Sequence, residues 1–239
     1  RNLANRVWAM LLGRGIVEPV DDVRATNPPS NPELLDGLAA FVVEKKFDVR
    51  ALVRAICASR TYQTSSTPNA SNEKGELNFS RALFKRPDAE VLLDMISQAT
   101  GVAERYPGMP AGTKAIQLWD SKAKHDFLRL FGRPQRTTAC ECERNTEPST
   151  GQVLNLLNSP ELQKKLAHET GTIAKLVQAQ SDDAKLVEEL YLLLYGRFPT
   201  AKESDTATAY LGRKTSERRK AGEDLMWAMM NSLEFQFNH

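Results

Sequence analysis

The sequence predicts a mainly α fold, an irregular multi-helix domain of about nine or ten helices with long ordered loops. Three observations carry this. Apolar residues recur at helical spacing along most of the chain. Several of these runs end on glycine, the usual helix stop. The only stretch that reads as a strand, 115–119, has no partner with which to build a sheet.

Taken in order, the first helix spans Leu3 to Leu12, with Leu3, Val7, Met10 and Leu11 on one face and Gly13 as its stop. A loop follows from Arg14 to Ser30, kept irregular by Asp21, Asp22, Asn27, Pro28 and Pro29. Asn31 reads as an N-cap and Pro32 as the first helical position of a helix that buries Leu34, Leu35, Leu38, Phe41 and Val42. A third helix opens at Asp48 and presents Val49, Leu52, Val53, Ile56 and Cys57, so that the two form a hairpin through Lys45 to Phe47. Between Thr61 and Asn78 the chain turns to Ser, Thr, Asn and Gly and reads as an exposed loop.

Pro87 and Asp88 open the next helix, with Val91, Leu92, Met95, Ile96 and Ala99 inward and Gly101 as its end. From Val102 to Ser121 the pattern breaks into Gly/Pro turns, and a short helical turn, His125 to Phe131, leads into the central loop. Pro148 or Ser149 starts the helix that leaves it through Val153, Leu154 and Leu157. The last third is helix after helix. Ser159-Pro160 opens one and Asp182 or Asp183 another, carrying Leu186, Val187, Leu190, Tyr191 and Leu194. Thr200-x-x-Glu203 is a capping box, and Ser216 to Asn231 buries Leu225, Met226, Met229 and Trp227. Leu12-Gly13-Arg14, Phe131-Gly132-Arg133 and Tyr195-Gly196-Arg197 each end an apolar helix, with Gly supplying the left-handed stop and Arg complementing the helix dipole.

The whole chain, 1–239, reads as a single α-helical domain with a candidate subdomain boundary near 145–150. It opens on Arg1 inside an apparent helix, without an initiator Met, which suggests an excised or processed piece of a longer protein. Thirty-two Lys+Arg against 30 Asp+Glu leave a net charge of +2, no broad electrostatic footprint for a nucleic acid. No run of about 18 apolar residues is present, so no membrane span is expected.

The stretch richest in chemistry is Phe127 to Arg144, FLRLFGRPQRTTACECER. If residues 140–144 are extended, Glu141 and Glu143 share one face with Cα atoms about 6.6 Å apart. That separation suits the wider carboxyl pairs of inverting glycosidases. The neighbouring arginines oppose the idea, because ion pairing lowers a carboxyl pKa that a general acid needs raised. Arg133, Arg136 and Arg144 are candidates for binding an anionic or hydroxyl-rich ligand, joined by Arg24 and Asn27 of the first long loop. Cys140 and Cys142 are a disulfide candidate only if the chain turns sharply between them. Redox chemistry is the weaker alternative, and Cys57 reads as a core thiol. No zinc-like ligand spacing accompanies the cysteines, and His125, His168 and His239 are scattered, so no metal is expected.

Four blocks carry a resemblance: NRVWAMLLGRGIVEPVDDVRATNPPSNPELLDGLA at 5–39, RAICASRTYQTSS at 54–66, FGRPQRTTACECER at 131–144 and LYLLLYGRFPTAKE at 190–203. Together they resemble domain-of-unknown-function family 1553, typical of Planctomycetes and related bacteria. The resemblance implies the C-terminal part of a large exported, cytochrome-c-associated protein, and so a periplasmic or cell-envelope location where Cys140 and Cys142 can be oxidised. It implies haem in another domain of the parent and no cofactor in this one. It supplies no catalytic residues. Two functions follow as expectations. One is a binding or assembly module for the parent's other domains or an extracellular glycan, acting through the loops at 14–30 and 127–144. The other is a hydrolase or lyase for an anionic polysaccharide, with Glu141 or Glu143 as acid/base and Arg133 or Arg136 holding the charge. These readings leave open whether the chain is an enzyme.

Overall fold

A computed structural model describes residues 1–75, 77–119, 124–134, 149–213 and 217–238. Every regular element among them is helical, so the mainly α fold holds. The sequence places a boundary near 145–150. By contacts, Arg1–Lys85 together with Asn238 make one compact unit, and Arg86–Phe237 the other. The reason is packing, since the buried apolar residues on the two sides of Lys85 collect into clusters that share no member.

The first unit contains α1 (Asn2–Leu12), α2 (Pro32–Glu44) and α3 (Val49–Cys57). The expected caps are present. Gly13 ends α1 at φ 81°, the Asn31 side chain accepts from Leu34 N, and the Asp48 side chain accepts from Arg50 N and Ala51 N. Ala4, Val7 and Trp8 of α1 meet Leu35 and Val42 of α2 and Leu52 and Ile56 of α3 in one core. Val49, expected on the buried face of α3, is exposed, because the helix turns Leu52 and Ile56 inward.

The loop 14–30 is built as firmly as the helices. Asn5 Nδ2 donates to Val17 O and Val20 O, each at 3.0 Å, while its Oδ1 accepts from Val17 N at 2.9 Å. Ile16 and Val17 thereby enter the core. Gly15 sits where a Cβ would meet Val17 O at 2.3 Å, so the loop's first turn admits no side chain. Lys85 and Asn238 pair as an isolated antiparallel bridge, with N···O distances of 3.0 and 2.8 Å.

The second unit begins with α4 (Ala89–Thr100), closed by Gly101 at φ 69°. The stretch expected as a strand at 115–119 is instead a 3-10 turn over Ala115–Gln117. Asp94 on α4 explains it: its two carboxylate oxygens accept from Ala115 N at 2.7 Å and Ile116 N at 3.1 Å, which bends the backbone away from extension. There follow α5 (Asp126–Leu130), α6 (Thr150–Asn158), α7 (Pro160–Leu166), α8 (Thr172–Ala179), α9 (Asp183–Tyr195), α10 (Ala201–Arg213), α11 (Arg218–Met230) and α12 (Leu233–Gln236). Helix α11 lies against α7, α8, α9, α10 and α12. Its approach to α8 is close because Gly222 leaves only enough room for a Cβ at 3.4 Å from Ile173 and Val177. Leu186, Val187 and Leu190 of α9 are wholly buried beside Leu92, Leu211 and Met226.

Helix α6 departs from its expected face. Val153, Leu154 and Leu157 are exposed, and Gln152 and Leu156 are buried. Gln152 sets this rotation: its Oε1 accepts from Ser149 N in a capping box, and its Nε2 donates to Leu130 O at 2.9 Å.

Candidate functional site

A concavity in the second unit is walled by α9, α10 and α11, with a volume of about 660 Å³. This lies in the range usual for ligand sites. Glu203, Thr206, Ala207 and Tyr210 recur at helical spacing and put one face of α10 on the groove. Asp224, Leu225, Trp227 and Ala228 of α11 face them, and Tyr191 of α9 supplies a further wall. Lys202 stands at the rim, exposed.

Most of the polar groups around this groove are already engaged. Tyr210 donates its hydroxyl to Asp224 Oδ2 at 2.9 Å, and Thr206 donates to Lys202 O at 2.7 Å. Glu203 accepts from Thr200 N and Oγ1, both at 2.8 Å, in the predicted capping box. It also pairs with Arg197 through two bonds of 2.9 Å. Arg197 grips Glu234 as well, Nε to Oε1 at 2.6 Å and Nη2 to Oε2 at 2.8 Å, and its guanidinium lies over the rings of Tyr191 and Tyr195. The Arg197 guanidinium, with help from Thr200, holds the Glu203 carboxyl down to about 2. A carboxyl so held does not serve as a general acid near neutral pH. The Trp227 indole N–H is buried without an acceptor.

A second polar constellation lies elsewhere in this unit. Glu104 meets His125 Nε2 at 3.8 Å and Lys165 Nζ at 3.2 Å, and Lys165 also donates to Val102 O at 2.6 Å. The His125 partner and then Lys165 hold Glu104 down to about 2 against the opposing effect of burial. Burial beside Glu104 and Asp94 raises the Tyr106 phenol, and its ring packs 5.7 Å from that of His125. Lys165 thus ties the segment after α4 to α7, a structural task.

Of the residues expected to form a site, Arg24, Asn27 and Arg133 are among the described ones, and each is engaged where it stands. Arg133 is buried and committed: Nε lies 3.4 Å from Glu90 Oε1, and Nη2 donates to Leu118 O at 3.2 Å. Asn27 spends its amide on its own loop, donating to Glu18 O and Asp22 O, and Arg24 pairs with Asp22 at 2.8 Å while largely exposed. Arg136, Cys140, Glu141, Cys142, Glu143 and Arg144 lie outside the described residues. Cys57 is a free thiol, partly buried. Among the described residues no group of three or more His, Cys, Asp or Glu side chains could hold a metal ion, and no helix is long and apolar enough to cross a membrane.

Sequence reasoning missed the groove. Tyr191, Leu225 and Trp227 carry the helical periodicity of core residues, and that pattern does not separate a face that meets another helix from one that lines a cavity. Comparison with known proteins gives one match: a family model described as PSD1, protein of unknown function (DUF1553), over residues 1–211. Two of the groove's walls, α9 and α10, carry their lining residues within that match, and the α11 wall lies beyond it. No curated protein and no solved structure matches the chain.

Proposed function

The chain belongs to the PSD1 family of proteins of unknown function, DUF1553, and from that premise we propose that it is a binding and assembly module whose ligand is an apolar peptide segment received in the α9–α10–α11 groove. The observation that carries this is the engagement of the groove's polar groups. Asp224 accepts from Tyr210, Glu203 accepts from Thr200 and Arg197, Thr206 donates to Lys202 O, and the faces left to be covered are those of Tyr191, Ala207, Leu225, Trp227 and Ala228. A glycan requires many directional hydrogen bonds from side chains that are not already spent, whereas apolar side chains require only shape and area. Lys202, exposed at the rim, then selects an acidic flank of the segment. A neighbouring domain of an exported parent is the source that the family resemblance favours.

The test is selection of displayed peptides on the immobilised chain, run beside an oligosaccharide array. Peptides with apolar residues at helical spacing are expected to emerge. Ala228 is exposed on the groove wall, so Ala228→Arg fills the groove at little cost to folding. It should weaken those peptides by at least about tenfold, roughly 1.4 kcal/mol, while Thr67→Arg in the other unit leaves them unchanged. Oligosaccharide binding that Ala228→Arg removes would replace the peptide by a glycan. Selected peptides indifferent to Ala228→Arg would remove the groove from the reading.

A further inference from the structure

The first unit holds a small pocket of about 100 Å³ beside the C-terminal end of α1. Leu12, Thr61, Tyr62, Arg81, Lys85 and Asn238 contribute to its lining, and among the described residues no Asp or Glu does. Arg81 Nε is buried there without a hydrogen-bond partner, and among the described residues the Arg81 guanidinium makes no ion pair or hydrogen bond. Lys85 brings a second cation, whose Nζ donates to Met10 O. A charged N–H taken out of water with no acceptor is costly. The pocket's volume equals roughly three water molecules, enough for one oxyanion group.

From this we infer that the pocket is a binding site for a single oxyanion group, a carboxylate, sulfate or phosphate. Arg81 meets it with the planar fork that suits such groups, Lys85 adds charge, and the Tyr62 hydroxyl and Asn238 amide supply neutral donors. The site is independent of the groove in the second unit and does not rest on the function proposed for it.

The experiment is thermal unfolding of the wild type, Arg81→Met and Asn238→Asp in chloride, acetate, sulfate and phosphate at matched ionic strength. A saturable rise in Tm of the wild type with acetate identifies a planar carboxylate site, and with sulfate or phosphate a tetrahedral one. Arg81→Met should show no saturable rise. In chloride it should melt at or above the wild-type temperature, because it removes an N–H that has no acceptor. Asn238→Asp places a carboxylate in the pocket, so it should melt above the wild type in chloride and lose the anion response. Equal responses in all three chains would mark a general salt effect and overturn the site, as would a fall in Tm for Arg81→Met in chloride. If Arg81→Met does not fold, Asn238→Asp decides, since an unchanged anion response in that variant also overturns it.

Discussion

Asn5 ties the first helix of the N-terminal unit to the loop at 14–30. Its side chain is wholly buried, and its three side-chain hydrogen bonds run to the backbone of the 14–30 loop. Asn5→Ala leaves Val17 N, Val17 O and Val20 O without partners, and unfolding by denaturant should show a loss of about 2–4 kcal/mol. Glu104 shows the same dependence on partners through pH. Its folded pKa, about 2, lies below the ordinary carboxyl value of 4.5, so its contribution is present above pH 4.5 and is lost as pH falls towards 2. Glu104→Gln should flatten that acid limb in a series of urea midpoints. A limb as steep as the wild type's would mean that Glu104 is not its source. Neither residue stood out in the sequence, because an Asn among helical positions and a Glu in a turn look like solvated surface until the fold supplies their partners.

At the scale of elements, the sequence was legible wherever the signal was local. Gly13, Gly101, Asn31, Asp48, Ser149, Ser159 and Thr200 each stop or start a helix where their chemistry predicts, because a cap needs only the backbone of the next few residues. The Gly-Arg pairs were half legible. Gly13, Gly132 and Gly196 do adopt positive φ, but Arg133 and Arg197 turn away from the helices they follow and seek carboxylates, Glu90 for one and Glu203 with Glu234 for the other. A partner 37 residues away, as Glu234 is from Arg197, leaves no trace in local spacing. Arg197 therefore fixes the corner between α9 and α10 and joins it to α12. Arg197→Lys keeps the charge but cannot span both glutamates, and should cost about 1–2 kcal/mol, the low end reflecting its partial exposure. Because Glu203 also walls the groove, the same variant should weaken groove ligands, whereas Arg219→Lys, at a residue that bonds to Ala167 O and Glu223 and does not line the groove, should not.

For the molecule as a whole, helical periodicity announced the class but not the division. Periodicity says that Leu52 and Leu186 each face inward; it does not say that they face different interiors. The two apolar clusters, one drawn from α1, α2, α3 and the 14–30 loop and the other from α4 to α12, share no residue. Each therefore stands as a separate source of cooperativity. Leu52 and Leu186 are both fully buried, and truncating either to Ala should cost about 2–5 kcal/mol. Hydrogen exchange should resolve where that cost falls. Leu52→Ala should raise exchange through α1, α2 and α3 and leave α9 and α11 close to wild type, and Leu186→Ala should do the reverse. Exchange rising equally in both units for either variant would show a single cooperative core, and the Lys85/Arg86 division would then describe contacts without describing stability. The outcome also bears on the two candidate sites, since units that open separately allow the Arg81 pocket to be occupied or lost without change at the α9–α10–α11 groove.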